Sequence, residues 1–577
     1  MRTIHFLRLF AIAAGLLVAP AAFAGLIVSA PVDVIGNLPV ARFTMAGYGT
    51  RAYKDWGNEP FVAVNPLNTN DVFISSFSFS TATSASGDAN VFYSTNGGAN
   101  WTSQFSVPAP VNGVTIPNDW TFAYDSAGTL HSAILGARNI YQGATANPTS
   151  AAAWSYTGGG TRINTVASTG NADQPWIALQ GTEVFVAYDD FHSNTGERVA
   201  VSNNNGATFT IDNPINNGPR PNSVNPGTRI ATDGAGNAYS VFGLGSSISR
   251  GVSNVTYYLN RSRDGGVTWD FNPNSLVGGI SIDTGVSTQA CLRPDQGGTC
   301  TQASNNWFAG VNNLLGNITA IAPDKTGSHV YVLIGKQDVT GTDRIYLAAY
   351  RLIGTNLVKS SEIVISPASE RAALPAITVE DDGTVVMMYE TYGADGKVHL
   401  HVASSVDFGA SIVSDIEEYS FTPLTLAQVN PGNLNADREF GDYDFLMSID
   451  DTVYGTFAGL GDVNAGGINT TGLIDPFSFS ATDVPEPGSL SLVLTGLAGA
   501  VWLRGRRRRR RVTPPHFSAK SYISKLRSRR AAAINAAMGP YKPACREQSP
   551  KRSKTWRITA KLQMKLSLLT SLDTRMR

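Results

Sequence analysis

From about Gly25 to Asp483 the chain alternates short β-branched and aromatic runs with clusters of Gly, Asn, Ser and Thr, a break falling every five to eight residues. This punctuation predicts strands and tight turns, and no stretch carries the 3.6-residue apolar period of a long helix. One phrase recurs: a small residue, an acid two positions on and a glycine five positions on. It reads Ala123-Tyr124-Asp125-Ser126-Ala127-Gly128, Ala231-Thr232-Asp233-Gly234-Ala235-Gly236, Ala322-Pro323-Asp324-Lys325-Thr326-Gly327 and Thr378-Val379-Glu380-Asp381-Asp382-Gly383. Each copy lies between two apolar runs, so it predicts a strand, an acid-to-glycine turn and a second strand. Weaker copies begin at Ala63, Ala178 and Ser448. The anchors at 63, 123, 178, 231, 322, 378 and 448 are mostly spaced 53 to 60 residues apart. That spacing suits a four-stranded propeller blade with its loops. The predicted fold is therefore all-β, a propeller of six or seven four-stranded blades. Seven anchors favour seven; six follows if Arg438 to Phe457 completes the first blade with an N-terminal strand.

A second motif lies at a steady offset behind four anchors. It runs Ser94-Thr95-Asn96-Gly97-Gly98-Ala99-Asn100-Trp101, Ser202-Asn203-Asn204-Asn205-Gly206-Ala207-Thr208-Phe209, Ser262-Arg263-Asp264-Gly265-Gly266-Val267-Thr268-Trp269 and Ser405-Val406-Asp407-Phe408-Gly409-Ala410-Ser411-Ile412. These runs resemble the Asp box, S-x-D-x-G-x-x-W, of the sialidase-like (BNR-repeat) β-propellers, and the third copy matches it fully. Asp or Asn can accept turn amides, Gly permits a positive φ, and the aromatic residue fills the blade's core. The resemblance places each box between a blade's third and fourth strands, away from the axis, and so specifies a blade and no catalysis.

The two ends carry different signals. Arg2 and Arg8, the apolar stretch Leu9 to Val18 and Ala22-Phe23-Ala24 predict a secretory signal peptide over residues 1–24, hence an exported body in an oxidising compartment. Cys291 and Cys300 bracket a Gly- and Pro-containing loop within the 91-residue gap between anchors, which reads as an insertion. A disulfide between them is expected to close this loop and, if unstrained, to contribute about 2–3 kcal/mol. Residues 484–511 hold Pro485-Glu486-Pro487, an apolar segment Leu490 to Leu503 and arginines 506–511. The apolar segment is short for a span, but the arginines obey the positive-inside rule. This order resembles the PEP-CTERM sorting signal of Gram-negative bacteria. The resemblance implies a transient transmembrane helix in the inner membrane, processing by an exosortase, and delivery to the outer cell surface or an extracellular polysaccharide matrix.

Net charge is zero, yet residues 504–577 hold 22 of the 44 Lys and Arg and only 2 of the 44 Asp and Glu. The exported body, 25–483, is thus strongly acidic. The basic extension 512–577 lies beyond the sorting signal, on its cytoplasmic side, and reads as a disordered or read-through tail; no nucleic-acid partner is expected.

Two constellations bear on function. Arg229, Arg371 and Arg438 precede anchors and Tyr443 follows closely, giving the three carboxylate-gripping arginines and tyrosine nucleophile that a resemblance to true sialidases implies. No Arg-Ile-Pro phrase accompanies them, and pairing with Glu370 or Glu439 explains the arginines as well. Alternatively Glu59, Asp119 and Asp173, four or five residues before successive anchors, place carboxylates at equivalent points near the channel mouth, joined by Asp442. Such a ring suits calcium or sugar hydroxyls, aided by Trp56, Trp120 and Trp176. Capping of inner-strand ends is the alternative. The seven histidines are scattered, which argues against a transition-metal site, and no cofactor is required. The expected function is glycan binding or scaffolding outside the cell, with an exo-sialidase-type glycoside hydrolase as the alternative.

Overall fold

The computed structural model describes residues 25–35, 59–76, 89–110, 119–164, 172–190, 196–215, 228–249, 252–271, 278–288, 307–308, 312–313, 318–354, 356–423, 440–461 and 474–483. They form seven four-stranded antiparallel blades, accompanied by two short 3₁₀ turns and one two-stranded ribbon. The innermost strands are Phe61–Val64, Trp120–Tyr124, Ala172–Gln180, Arg229–Thr232, Thr319–Pro323, Arg371–Val379 and Phe445–Ile449, here blades 1 to 7. Every anchor lies on one of them or at its end. The candidate signal peptide, Trp56, Arg438, Glu439, Cys291, Cys300, the Pro485-Glu486-Pro487 motif and the basic tail lie outside the described residues. Among the described residues no helix is long and apolar enough to cross a membrane.

The count is seven because Phe445–Ile449 builds a blade of its own instead of completing the first. Blade 7 takes its outermost strand from the other end of the chain: Leu26–Val28 pairs with Ile474–Asp483 in the register Leu26 to Asp483, and Val32–Asp33 pairs lower on the same strand. A ring closed in this way hides two edges that would otherwise present unpaired backbone groups. Within the long gap between anchors 231 and 322 the described residues include the long middle strands of blade 4, Ala238–Ser249 and Val252–Ser262, and the ribbon Trp307–Phe308 with Asn312–Asn313.

Each blade is covered on both faces, so its middle strands are apolar almost throughout, as in Val385 to Tyr389. Tyr239, Val241, Tyr257 and Leu259 of blade 4 pack on Val330, Val332, Ile334 and Tyr350 of blade 5. Leu446, Val453, Phe457 and Phe477 of blade 7 pack on Val386, Met388, Leu400 and Val402 of blade 6. Burying such side chains stabilises each seam by about 1.5–3 kcal/mol apiece.

All four Asp boxes join the third strand of a blade to its fourth. Within each, the serine hydroxyl donates to the Asx carboxyl or amide oxygen and accepts the glycine amide, as in Ser262 to Asp264 at 2.9 Å and Gly266 to Ser262 at 2.8 Å. The same Asx oxygen takes the amide four positions on, at 2.8–2.9 Å in every copy. Asn therefore substitutes for Asp without loss of the turn. The aromatic position packs between its own blade and the preceding one: Trp269 of blade 4 lies among Ile230 and Phe242 of its own blade and Val199 and Val201 of blade 3. Glycine is needed here for closeness as well as dihedral, since a Cβ on Gly266 (φ +80°) would stand 2.5 Å from Val201.

Candidate functional site

The inner strands begin with a repeated backbone device. Glu59, Gln174 and Leu374 have φ of 51°, 50° and 52° and each precedes a proline, in Glu59-Pro60-Phe61, Gln174-Pro175-Trp176 and Leu374-Pro375-Ala376. Non-glycine residues enter this region at a cost of about 1–3 kcal/mol, and surrounding contacts must hold them there. In blades 3 and 6 the device coincides with a break in the ladder, between Asp173 and Trp176 and between Ala373 and Ala376. The proline removes one donor, and the bulge throws the preceding side chain off the sheet.

These bulged residues meet a third blade. The Asp442 amide, ahead of blade 7, donates to Glu59 Oε1 at 3.0 Å, and Gln174 Nε2 donates to Asp442 Oδ2 at 3.0 Å. Asp442 thereby links the leading ends of blades 1 and 3. Arg229 of blade 4 lies under Trp176, 4.2 Å from the ring centroid, and 5.7 Å from that of Tyr443. Phe61, Phe445 and Tyr443 surround Trp176 at 5.3–5.6 Å, edge to face. The result is an aromatic cluster closed by one buried cation among carboxylates. Burial pulls the Arg229 pKa down, opposed by Asp189, Tyr443, Asp442 and Glu59. Burial pushes the Tyr443 hydroxyl well above its ordinary value, helped by Glu59 and Asp119 and opposed by Arg229.

Below this cluster the inner strands enclose an axial cavity of about 360 Å³, lined by Tyr124, Trp176, Arg229, Ile321, Ile377 and Phe445 among others. Its volume lies in the range of about 300–1,000 Å³ typical of small-ligand sites. Trp176 is half-buried on its wall, whereas Trp120 is fully buried with its Nε1 donating to the Ser76 carbonyl at 3.2 Å.

The sequence-nominated residues separate into groups. Glu59, Asp442, Trp176, Arg229 and Tyr443 come together. Asp119 acts on Tyr443 through its charge, and Asp173 accepts the Gln174 amide at 3.1 Å, a cap at the strand's start. Arg371 donates from Nε and Nη2 to Asp343 of blade 5. Glu370, the acid beside it in sequence, is instead engaged by the Thr391 hydroxyl. Four participants were not legible from the repeats. Gln174 occupies the position of Glu59, and the shared X-Pro pair was the available signal. Thr228 donates to Asp189 at 3.0 Å and to Glu197, which gathers two buried acids of blade 3 beside Arg229; no local pattern marks them.

Neither a protein-family profile nor a curated protein matches this chain. Among solved structures it is similar to a Penicillium chrysogenum alpha-L-arabinanase (12% identity, 79% of this chain and 98% of that one, TM-score 0.40). It is likewise similar to a Dyadobacter fermentans protein of unknown function (12%, 79% and 99%, 0.38) and to Trypanosoma rangeli sialidase (12%, 64% and 59%, 0.35). The described residues define a seven-bladed propeller by their own sheet topology.

Proposed function

We propose that this chain is an exported surface propeller that binds extracellular glycan at its axial cavity without hydrolysing it, after an exosortase-type enzyme has processed its Pro485-Glu486-Pro487 signal. The supporting observation is the axial cavity itself, with aromatic walls at Trp176 and Tyr124. Aromatic faces take the apolar side of a sugar ring, and the Thr232, Thr319 and Ser448 positions on the same wall are polar. The groups a sialidase mechanism needs are committed to structure. Arg229 is stacked beneath Trp176, Arg371 is held by Asp343, and Tyr443 is 2% exposed with its hydroxyl driven away from ionisation. The hydrolase alternative draws on one feature, the convergence of Glu59, Asp119 and Arg229 on Tyr443.

A glycan array probed with the full chain tests the reading, together with release of fluorophore from an aryl sialoside. Binding without release is expected, and Trp176→Ala should weaken binding at least tenfold. Release abolished by Tyr443→Phe would replace this reading with the hydrolase. Silence in both assays would remove glycan binding altogether.

A further inference from the structure

We propose that Glu380, Asp382 and Asp483 form a calcium site that ties blade 6 to the strand closing the ring. The argument begins with the four acid-to-glycine turns at the trailing ends of the inner strands. In three of them the acid caps its own turn. Asp125 Oδ1 accepts the amides of Ala127 and Thr129 at 2.9 and 2.8 Å. Asp233 Oδ1 accepts those of Ala235 and Asn237 at 2.8 and 2.9 Å, and Asp324 Oδ1 accepts that of Ser328 at 2.8 Å.

The fourth turn departs from this rule. Glu380 is one methylene longer, and Asp382 replaces it as the cap, accepting the Thr384 amide at 2.7 Å. Glu380 is 1% exposed, yet neither of its carboxylate oxygens has a hydrogen-bond partner among the described residues. Its carboxylate faces two others: single oxygens of Glu380, Asp382 and Asp483 lie within 4.8 Å of one another. Thr384 donates to Asp483 Oδ2 at 3.0 Å, leaving Oδ1 without a donor. Lys325 of blade 5 reaches this face but pairs with Asp381. Burial first, then the charges of Asp483, Asp382 and Asp451, push Glu380 up to about 8. Three carboxylates in this arrangement repel one another, and a buried one without a donor is costly.

A cation resolves both problems. The donors are all oxygen, with no His or Cys among them, and coordination by 6–8 oxygens is completed readily by water, which points to calcium over a transition metal. The location gives the ion a mechanical role. The Asp381 amide already bonds the Asp450 carbonyl of blade 7 at 3.2 Å, and Asp483 is the residue paired with Leu26 of the closing strand. Calcium here would link blade 6 to the point where the first and last described strands meet.

The test uses the full chain, stripped with chelator and titrated calorimetrically with calcium chloride, with melting followed in parallel. Wild type should bind with a Kd of order 1 mM or lower and melt higher with calcium. Glu380→Gln should bind one calcium fewer, lose the calcium-dependent rise in Tm, and in chelator melt at or above wild type because a buried carboxyl crowded by two others is gone. Should Glu380→Gln not fold, the exposed Asp382→Asn carries the same test. No calcium response in wild type, or wild-type stoichiometry and Tm rise in the variant, would overturn the proposal; the latter would place the ion elsewhere, such as at the axial carboxylates.

Discussion

The two ends of the inner strands are built on different principles. At the trailing ends, Asp125, Asp233 and Asp324 repeat one local solution, a carboxylate capping the amides of its own five-residue turn. Each copy is complete within its blade. At the leading ends the contacts run between blades: Glu59 reaches Asp442 across 383 residues of sequence, and Gln174 reaches the same aspartate across 268. Blades 1, 3 and 6 share an X-Pro step there, which turns a side chain off the sheet without dictating what it meets. Local closure makes a repeat that tolerates copying, whereas convergence on the axis lets each blade contribute a different residue. Glu380 is instructive because it sits in the repeated position but behaves like the other end, with a side chain that leaves its own turn for a neighbouring blade.

Three substitutions sharpen this contrast. The largest effect is expected at the leading end, where Gly441 has φ of +79° and an added Cβ would stand 2.2 Å from Glu59 Cγ and 2.9 Å from its amide nitrogen. Gly441→Ala combines backbone strain with overpacking, so a loss of about 3–4 kcal/mol is expected in urea unfolding, with m unchanged. A loss below about 1 kcal/mol would show that Glu59 and Asp442 can separate freely. At the trailing end, Asp233→Ala removes the acceptor of two amides together with bonds from Asn237 Nδ2 and the Tyr239 hydroxyl. The loss should be about 2 kcal/mol and confined to blade 4, which hydrogen exchange at Ala238 to Val241 would detect.

The smallest effect tests convergence through pH. Glu390 of blade 6 and Asp444, just ahead of blade 7, are both buried carboxyls raised well above their ordinary values, Glu390 by burial and by the Asp444 charge, Asp444 by burial. Both bind protons more tightly in the folded chain than in the unfolded one. Below about pH 3 both states are protonated and the pair has no effect; as pH rises from there the unfolded chain ionises first, so stability falls. Glu390→Gln should flatten part of that decline, raising stability near pH 8 by about 1.4 kcal/mol for each pKa unit removed while leaving it unchanged near pH 3. A pH profile parallel to wild type would mean that the two carboxyls do not share a site.

Legibility followed the same division. The anchors were found because a turn needs its acid and glycine at fixed offsets from each other, and each copy fell on an inner strand or at its end. The Asp boxes were found for the same reason, and Asn96 and Asn204 behave as their aspartate counterparts because the turn uses one oxygen that both side chains possess. The site was legible only in part. Glu59, Arg229, Asp442 and Tyr443 could be nominated from their distance to an anchor, but that distance says only that a residue lies near the axis. It could not distinguish Arg229, buried under Trp176, from Arg371, which crosses to Asp343 of the preceding blade. Gln174, Thr228, Asp189 and Glu197 left no trace in the repeat, because what recruits them is proximity to Arg229 and Asp442.

By itself, then, the order of residues determined the strand-and-turn alphabet, the blade length and the chemistry of each turn, all of which close within about ten positions. The number of blades, the pairing of Leu26 with Asp483, the company kept by Arg229 and the meeting of Glu380 with Asp483 were decided by ring closure. Closure brings the two ends of the body and the starts of several blades into contact, and contacts across hundreds of residues leave no periodicity for a single sequence to display.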